Sequence, residues 1–157
     1  MPETTVEMQE DSIALATTEE ADLLADLYAK LFQATGYSVF ASPGRRRDLV
    51  EWIQEQCEEG KLWVVRDCHG PITLGHFEAD LRTAVAIVTC DGMEGNGYGA
   101  KILSFFAKRD PQIRICPVTD GGFRLARKCG FSKEKGSECT WILSSDANDP
   151  PLPVGLQ

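Results

Sequence analysis

Residues Glu94-Gly95-Asn96-Gly97-Tyr98-Gly99-Ala100 lie between an apolar stretch and an amphipathic one. Three alternate glycines let a chain turn tightly and bring its backbone close to a ligand with no side chain between. A helix starting there would aim its free N–H groups and positive end into the turn, and the natural guest is a phosphate or pyrophosphate. The chemistry expected is therefore the binding of a nucleotide-like cofactor. A second pair, His76 and Glu78, is spaced two apart in a strand-like run, so both point to one side while Phe77 points to the other. A histidine that titrates near neutrality and a carboxylate tuned by burial are candidates for a general base. Asp91 is a third candidate.

These residues need a scaffold. The chain has 157 residues, enough for one domain with a proper core. Its apolar content of 43% and charged content of 25% are ordinary for a globular protein. A net charge of −8 argues against nucleic acid or an anionic membrane as a partner. Six cysteines occur without a Cys-x-x-Cys pair. The expectation is reduced, mostly buried thiols and no metal. With no apolar run long enough to span a bilayer and no signal-like start, a cytoplasmic location is expected.

Residues 1–10 read as a loose acidic tail, 11–144 as one domain, and 145–157 as a proline-rich tail. Within the domain, Ser12 to Ala16 reads as a strand, and Thr17 with Glu20 forms a capping box. Leu23, Leu24, Leu27, Leu31 and Phe32 mark an amphipathic helix that Gly36 ends. A second helix runs from Ser42-Pro43 to Gly60, with Leu49, Ile53 and Cys57 on one face and Arg45-Arg46-Arg47 on a solvated one. Strands are expected at Lys61–Arg66, Ile72–Glu78 and Ala84–Thr89. The glycine loop then leads into a helix bearing Ile102, Leu103 and Phe106. A strand at Gln112–Cys116, a helix at Phe123–Cys129 closed by Gly130, and a strand at Thr140–Leu143 complete the order β-α-α-β-β-β-α-β-α-β. A meander feeding one crossover predicts a mixed α/β sheet with helices on both faces.

This pattern resembles the GNAT-type N-acetyltransferases over roughly residues 11–144. Residues 94–99 resemble the family's phosphate loop, Gln/Arg-x-x-Gly-x-Gly/Ala, with Gly97 and Gly99 in the small-residue places. Thr119 to Phe131 resembles its late motif Asn-x-x-Ala-x-x-Phe-Tyr-x-Lys-x-Gly-Phe, matched at Leu125, Lys128, Gly130 and Phe131. Glu94 replaces the Gln or Arg, Thr119 the asparagine, and Ala126 the tyrosine that many members use to protonate the departing sulfur. The resemblance implies acetyl-CoA as co-substrate and direct acetyl transfer to a primary amine of a small molecule or protein. It further implies pyrophosphate held by Gly95, Asn96, Gly97, Tyr98, Gly99 and Ala100, and a pantetheine arm along Ile87, Val88 and Thr89. Thr119 is expected at the cofactor and Tyr37 in the acceptor pocket, in a monomer or homodimer. Lys101, Lys108 and Arg124 are candidates for the 3′-phosphate. Two other readings stay open: a GNAT-fold acyl-CoA binder or regulator without catalysis, and a dinucleotide-binding domain in which Gly95-x-Gly97-x-x-Ala100 is the fingerprint and Asp120 the ribose ligand.

Overall fold

The computed structural model describes residues 13–35 and 43–143. Both tails, Tyr37 and Phe40 lie outside the described residues. Strand β1 (Ile13–Leu15) leads through a short 3₁₀ turn at Thr18–Glu20 into helix α1 (Ala21–Thr35), and α2 follows (Pro43–Glu58). The meander is β2 (Leu62–Asp67), β3 (Gly70–Glu78) and β4 (Thr83–Thr89). Helix α3 (Tyr98–Arg109), β5 (Arg114–Ile115), α4 (Asp120–Lys128), β6 (Phe131–Lys133) and β7 (Trp141–Leu143) complete the order.

The capping residues act as their types dictate. Glu20 Oε1 accepts from the Thr17 N–H at 2.9 Å. Arg66 grips the same carboxylate with two nitrogens at 2.6 and 2.8 Å, tying β2 to the start of α1. Arg46, expected on a solvated face, instead bridges α2 to α1 through Asp26 at 2.8 Å and the Asp22 carbonyl at 2.9 Å.

All seven strands form one sheet in the order β1-β2-β3-β4-β5-β7-β6. Only β4 and β5 run parallel. A doubly wound dinucleotide fold would need a mostly parallel sheet, so that reading fails. The expected order also lacked β6. Phe131-Ser132-Lys133 is too short to show an alternation, and its strand geometry comes from pairing with β7. The strand expected at Gln112–Cys116 shrinks to Arg114–Ile115, because only Thr83 and Ala84 of β4 pair with it.

Period-2 alternation, shifted where the register slips near Val65–Arg66 and near His76–Phe77, sorts the sheet into two cores. Leu62, Val64, Leu74, Ala86 and Val88 face α1 and α2, while Val65, Ile72 and Ala84 pack with Ile102, Leu103 and Phe106 of α3. Gly75 belongs to the second face, and a Cβ there would lie 2.4 Å from Ile102 Cγ2 and 2.9 Å from Phe106 Cζ. Glycine thus allows α3 to sit close on the sheet. Gly75→Ala is expected to lower unfolding stability by about 1–3 kcal/mol, as overpacking does. Urea denaturation checks this: an unchanged midpoint would mean that α3 does not pack at this distance.

The thiols depart from expectation. Cys57 is buried and Cys90 and Cys129 are half-buried, but Cys68, Cys116 and Cys139 are exposed. Apolar neighbours in sequence do not bury a residue at the end of a two-residue strand. No helix among the described residues is long and apolar enough to cross a membrane.

Candidate functional site

Parallel strands β4 and β5 touch only at their first residues and then part. A bulge helps to open them: Ala84 pairs with Phe77 and Ala86 with His76, leaving Val85 as an extra residue in β4. Beyond it, the Cys90 N–H bonds to the Ile72 carbonyl, so by strand alternation Val88 also directs its backbone groups to β3. Ile87 and Thr89 direct theirs the other way, into the gap where a fifth strand would be. All three residues expected along a pantetheine arm border the cleft, and of them Ile87 and Thr89 turn their backbone groups into the gap while Val88 turns its own to β3.

The gap is one end of a continuous cleft. Its apolar end, about 340 Å³, is walled by Phe32, Val85, Ile115 and Val118. The wider end, about 660 Å³, is bounded by Gly95, Gly97, Tyr98, Gly99 and Ala100 and by Lys30, Arg124 and Lys128. Leu31, Ile87, Thr119 and Leu125 border both ends.

Gly97, at φ 87°, precedes α3 in the left-handed region that an L side chain disfavours. The first bond of the helix runs from the Lys101 N–H to the Gly97 carbonyl at 3.0 Å. The preceding N–H groups of Tyr98, Gly99 and Ala100 are therefore the helix's unpaired donors. Helix α4 starts at the same cleft. Its cap is Thr119, whose Oγ1 accepts from the Gly122 N–H at 3.0 Å, and Gly121 and Gly122 line the wide end. Two helix N-termini and three cations thus converge on one cavity, an arrangement suited to a polyanion. Asn96, expected among the phosphate ligands through its backbone amide, turns its side-chain Nδ2 onto the Met93 carbonyl at 3.0 Å and braces the loop.

Lys30 escaped the sequence reading. From α1 it reaches across the cleft mouth, donating to the Thr89 carbonyl and to Glu94, and pairing with Asp91 at 3.0 Å. Burial would lower its pKa, but the hydrogen bonds it donates to Glu94 and Asp91 outweigh that and raise it, so the ammonium stays charged. The acid that stands where Gln or Arg is usual, and Asp91 beside it, therefore have a cation of their own. Nothing in a single helix repeat signals that pairing, because Lys30 and Glu94 come together only through the fold.

His76 and Glu78 do meet, with Nε2 to Oε2 at 2.9 Å, yet neither lines the cleft. His76 is 1% exposed beneath Tyr28 and Trp52. Burial pushes the Tyr28 phenol far up, so it remains a donor, and it lies 2.5 Å from His76 Nδ1. Nδ1 is then an acceptor and Nε2–H donates to Glu78, which leaves the imidazole no free lone pair. Burial lowers the His76 pKa despite the opposing pull of Glu78. For Glu78, burial would raise the carboxyl, but hydrogen bonds from Lys61 and His76 hold it low. Ala126 is fully buried among the side chains under α3. Lys101 and Lys108, unlike Arg124, border a separate groove beside Ile13. No group of three or more potential metal ligands occurs among the described residues.

No protein-family model matches the chain, and no curated protein matches it in sequence. Solved structures do match in shape. An N-acetyltransferase from Staphylococcus aureus Mu50 superposes with a TM-score of 0.62 at 12% identity, over 83% of this chain and 97% of the other. A GNAT-family acetyltransferase from Bacillus cereus ATCC 10987 gives 0.61 at 12% identity, over 83% and 92%. The fold is that of the GNAT N-acetyltransferases. A structure described as a "predicted acetyltransferase with acetyl-CoA" from Clostridium acetobutylicum gives 0.57 at 15% identity, over 81% and 93%.

Proposed function

We propose that this protein is an acetyl-CoA-dependent N-acetyltransferase that moves an acetyl group directly to a primary amine of a small molecule or protein. The observation that carries this reading is the open edge of β4 leading, through the loop of residues 90–97, to the N-terminus of α3. An edge that lacks its strand partner suits an amide-bearing arm, and the helix N-terminus suits a pyrophosphate. The residues fit: N–H groups of Tyr98, Gly99 and Ala100 hold the anion, and Lys30 neutralises Glu94. Backbone groups of Ile87 and Thr89 hold the arm. Acetyl-CoA, when bound, supplies an activated acyl carbonyl, and an N–H on the open edge of β4 is placed to stabilise charge on its oxygen. Calorimetric titration with acetyl-CoA, with CoA and NADH as controls, tests this directly. Acetyl-CoA binding followed by turnover with an amine panel is expected; binding of none of the three defeats it.

A second reading, an acyl-CoA binder without turnover, is favoured by one observation. Where many members place a tyrosine, Ala126 presents a methyl group buried in the core. A thiol with pKa about 8.5 can nonetheless leave without an acid. Binding without transfer to any amine would support the second reading.

The pH dependence separates the candidates for the base. With its lone pair held by Tyr28, His76 is not expected to take the amine's proton. kcat/KM should then climb with pH along the amine's own ionisation. The pKa of His76 lies below the ordinary value of 6.5, so as a base it would be active above its pKa and lost only in more acid solution. An inflection below 6.5 that disappears in His76→Gln would assign it the catalytic role.

A further inference from the structure

We propose that the apolar end of the cleft is an acyl-chain pocket, so that the protein transfers acyl groups longer than acetyl, of about four to eight carbons. The assignment deepens the acetyl-CoA reading and rests on it. The two ends of the cleft divide β4 in order. Ile87, Val88 and Thr89 border the wide anion end, and Ala84, Val85, Ala86 and Ile87 border the apolar one. A thioester with its pyrophosphate at α3 therefore runs back along β4 from Thr89 toward Val85, and its acyl group arrives at the apolar end. The Val85 bulge and the short β4–β5 pairing keep that end open. An acetyl methyl needs about the room of one water, roughly 30 Å³. The apolar end holds about 340 Å³, because Ala84, Ala86 and Gly122 add little bulk to its lining. That is room for about ten such groups if filled, and fewer with Val85 and Val118 open to water.

The chemistry of the lining favours the acyl chain over the acceptor. Leu31, Phe32, Ile115 and Val118 are apolar, and among the described residues at this end there is no carboxylate and no cation. Thr119 turns its hydroxyl to the Gly122 N–H. An amine arrives as an ammonium, and burying one without a carboxylate is costly. An acyl chain is uncharged and gains by leaving water. Val85 and Val118 are 51% and 61% exposed, so a chain at this end would shield apolar surface that the fold leaves in water. The step itself is that of acetyl transfer. The amine nitrogen bonds to the thioester carbonyl carbon, and the electron pair of the C–S bond leaves with the sulfur. The proton that the amine gives up ends on that sulfur, so the products are an amide and CoA.

The test is calorimetry on the full chain with CoA and with acetyl-, butyryl-, hexanoyl- and octanoyl-CoA. A fully buried methylene is worth about fourfold in affinity, and about twofold to fourfold is expected in a cleft open on one side. Hexanoyl-CoA should therefore bind on the order of tenfold to a hundredfold more tightly than acetyl-CoA. The gain should level off near about eight carbons, when the end is full. Val118→Glu, at an exposed position, should keep the fold by circular dichroism and bring the hexanoyl-to-acetyl affinity ratio near one. Val85→Glu should do the same from a different strand. The ratio is taken within each variant, so a general loss of affinity does not imitate the effect. Equal affinity of the wild type for acetyl- and hexanoyl-CoA, or a ratio that both folded variants keep, overturns the pocket. So does faster turnover of apolar amines with no gain from longer thioesters, which would give this end to the acceptor. Those outcomes leave acetyl-CoA binding standing. Silence toward CoA and every thioester defeats the cofactor reading itself, and the pocket with it.

Discussion

Gly99→Asp is expected to remove acetyl-CoA binding by about a hundredfold to a thousandfold while the protein melts where the wild type does. Gly99 is the second residue of α3, and a Cβ there meets Ile87 Cγ2 and Leu125 Cδ2, both at 3.5 Å, which is ordinary contact. Its φ lies outside the positive range, so a side chain brings no backbone strain. An aspartate in a first helical turn even suits the helix dipole, which protects the fold. The carboxylate, however, would occupy the donors that a pyrophosphate needs. Two unit charges about 4 Å apart at an effective dielectric near 20 repel by about 4 kcal/mol, which sets the size of the loss. Gly99→Ala is the control: it adds the methyl without the charge and should bind nearly as the wild type does. Gly97→Asp is the poorer test, because at φ 87° any side chain is strained whatever its charge. Calorimetry with circular dichroism on both variants decides the matter. A folded Gly99→Asp with wild-type affinity would end the assignment of this loop to a phosphate.

Much of this architecture was legible in the chain because its signals are local. The Thr17–Glu20 box, the helical repeat of Leu24, Leu27 and Leu31, the His76-Phe77-Glu78 alternation at the end of β3 and the glycines before α3 each depend on neighbours a few residues away. They place a meander, a crossover and a loop in the right order. What stayed hidden depends on pairing between distant segments. Strand β6 shows no pattern of its own, and the parting of β4 from β5 rests on a bulge at Val85 that nothing in Ala84-Val85-Ala86 announces. Alternation put His76 and Glu78 on one side correctly, but not that α1 and α2 would cover His76 and bring Tyr28 onto its second nitrogen. Spacing alone left that side either catalytic or solvent-facing; the fold made it interior. The Lys30 bridge was invisible for the same reason, since it joins residues far apart in the chain.

The Lys30 bridge yields the second large effect. Lys30→Ala should weaken acetyl-CoA binding by about tenfold to a hundredfold, because it leaves Glu94 and Asp91 uncompensated beside the anion site. Glu94→Gln alone should bind as well as the wild type or more tightly. The double variant Lys30→Ala/Glu94→Gln should recover most of the loss, which makes the coupling measurable as a double-mutant cycle. Raising the salt should shrink the defect of Lys30→Ala, since both carboxylates are substantially exposed and screened by ions. The cycle also distinguishes two roles for the ammonium. If Lys30 serves by cancelling Glu94, removing the acid restores binding. If it bonds the phosphate itself, the single and double variants fail alike, and the acid at position 94 must be tolerated by pointing away from the ligand. The first outcome is expected, because Lys30 already spends its donors on Thr89, Glu94 and Asp91. A fold that keeps an acid at the mouth of an anion site needs a fixed cation beside it, and α1 is the element that delivers one.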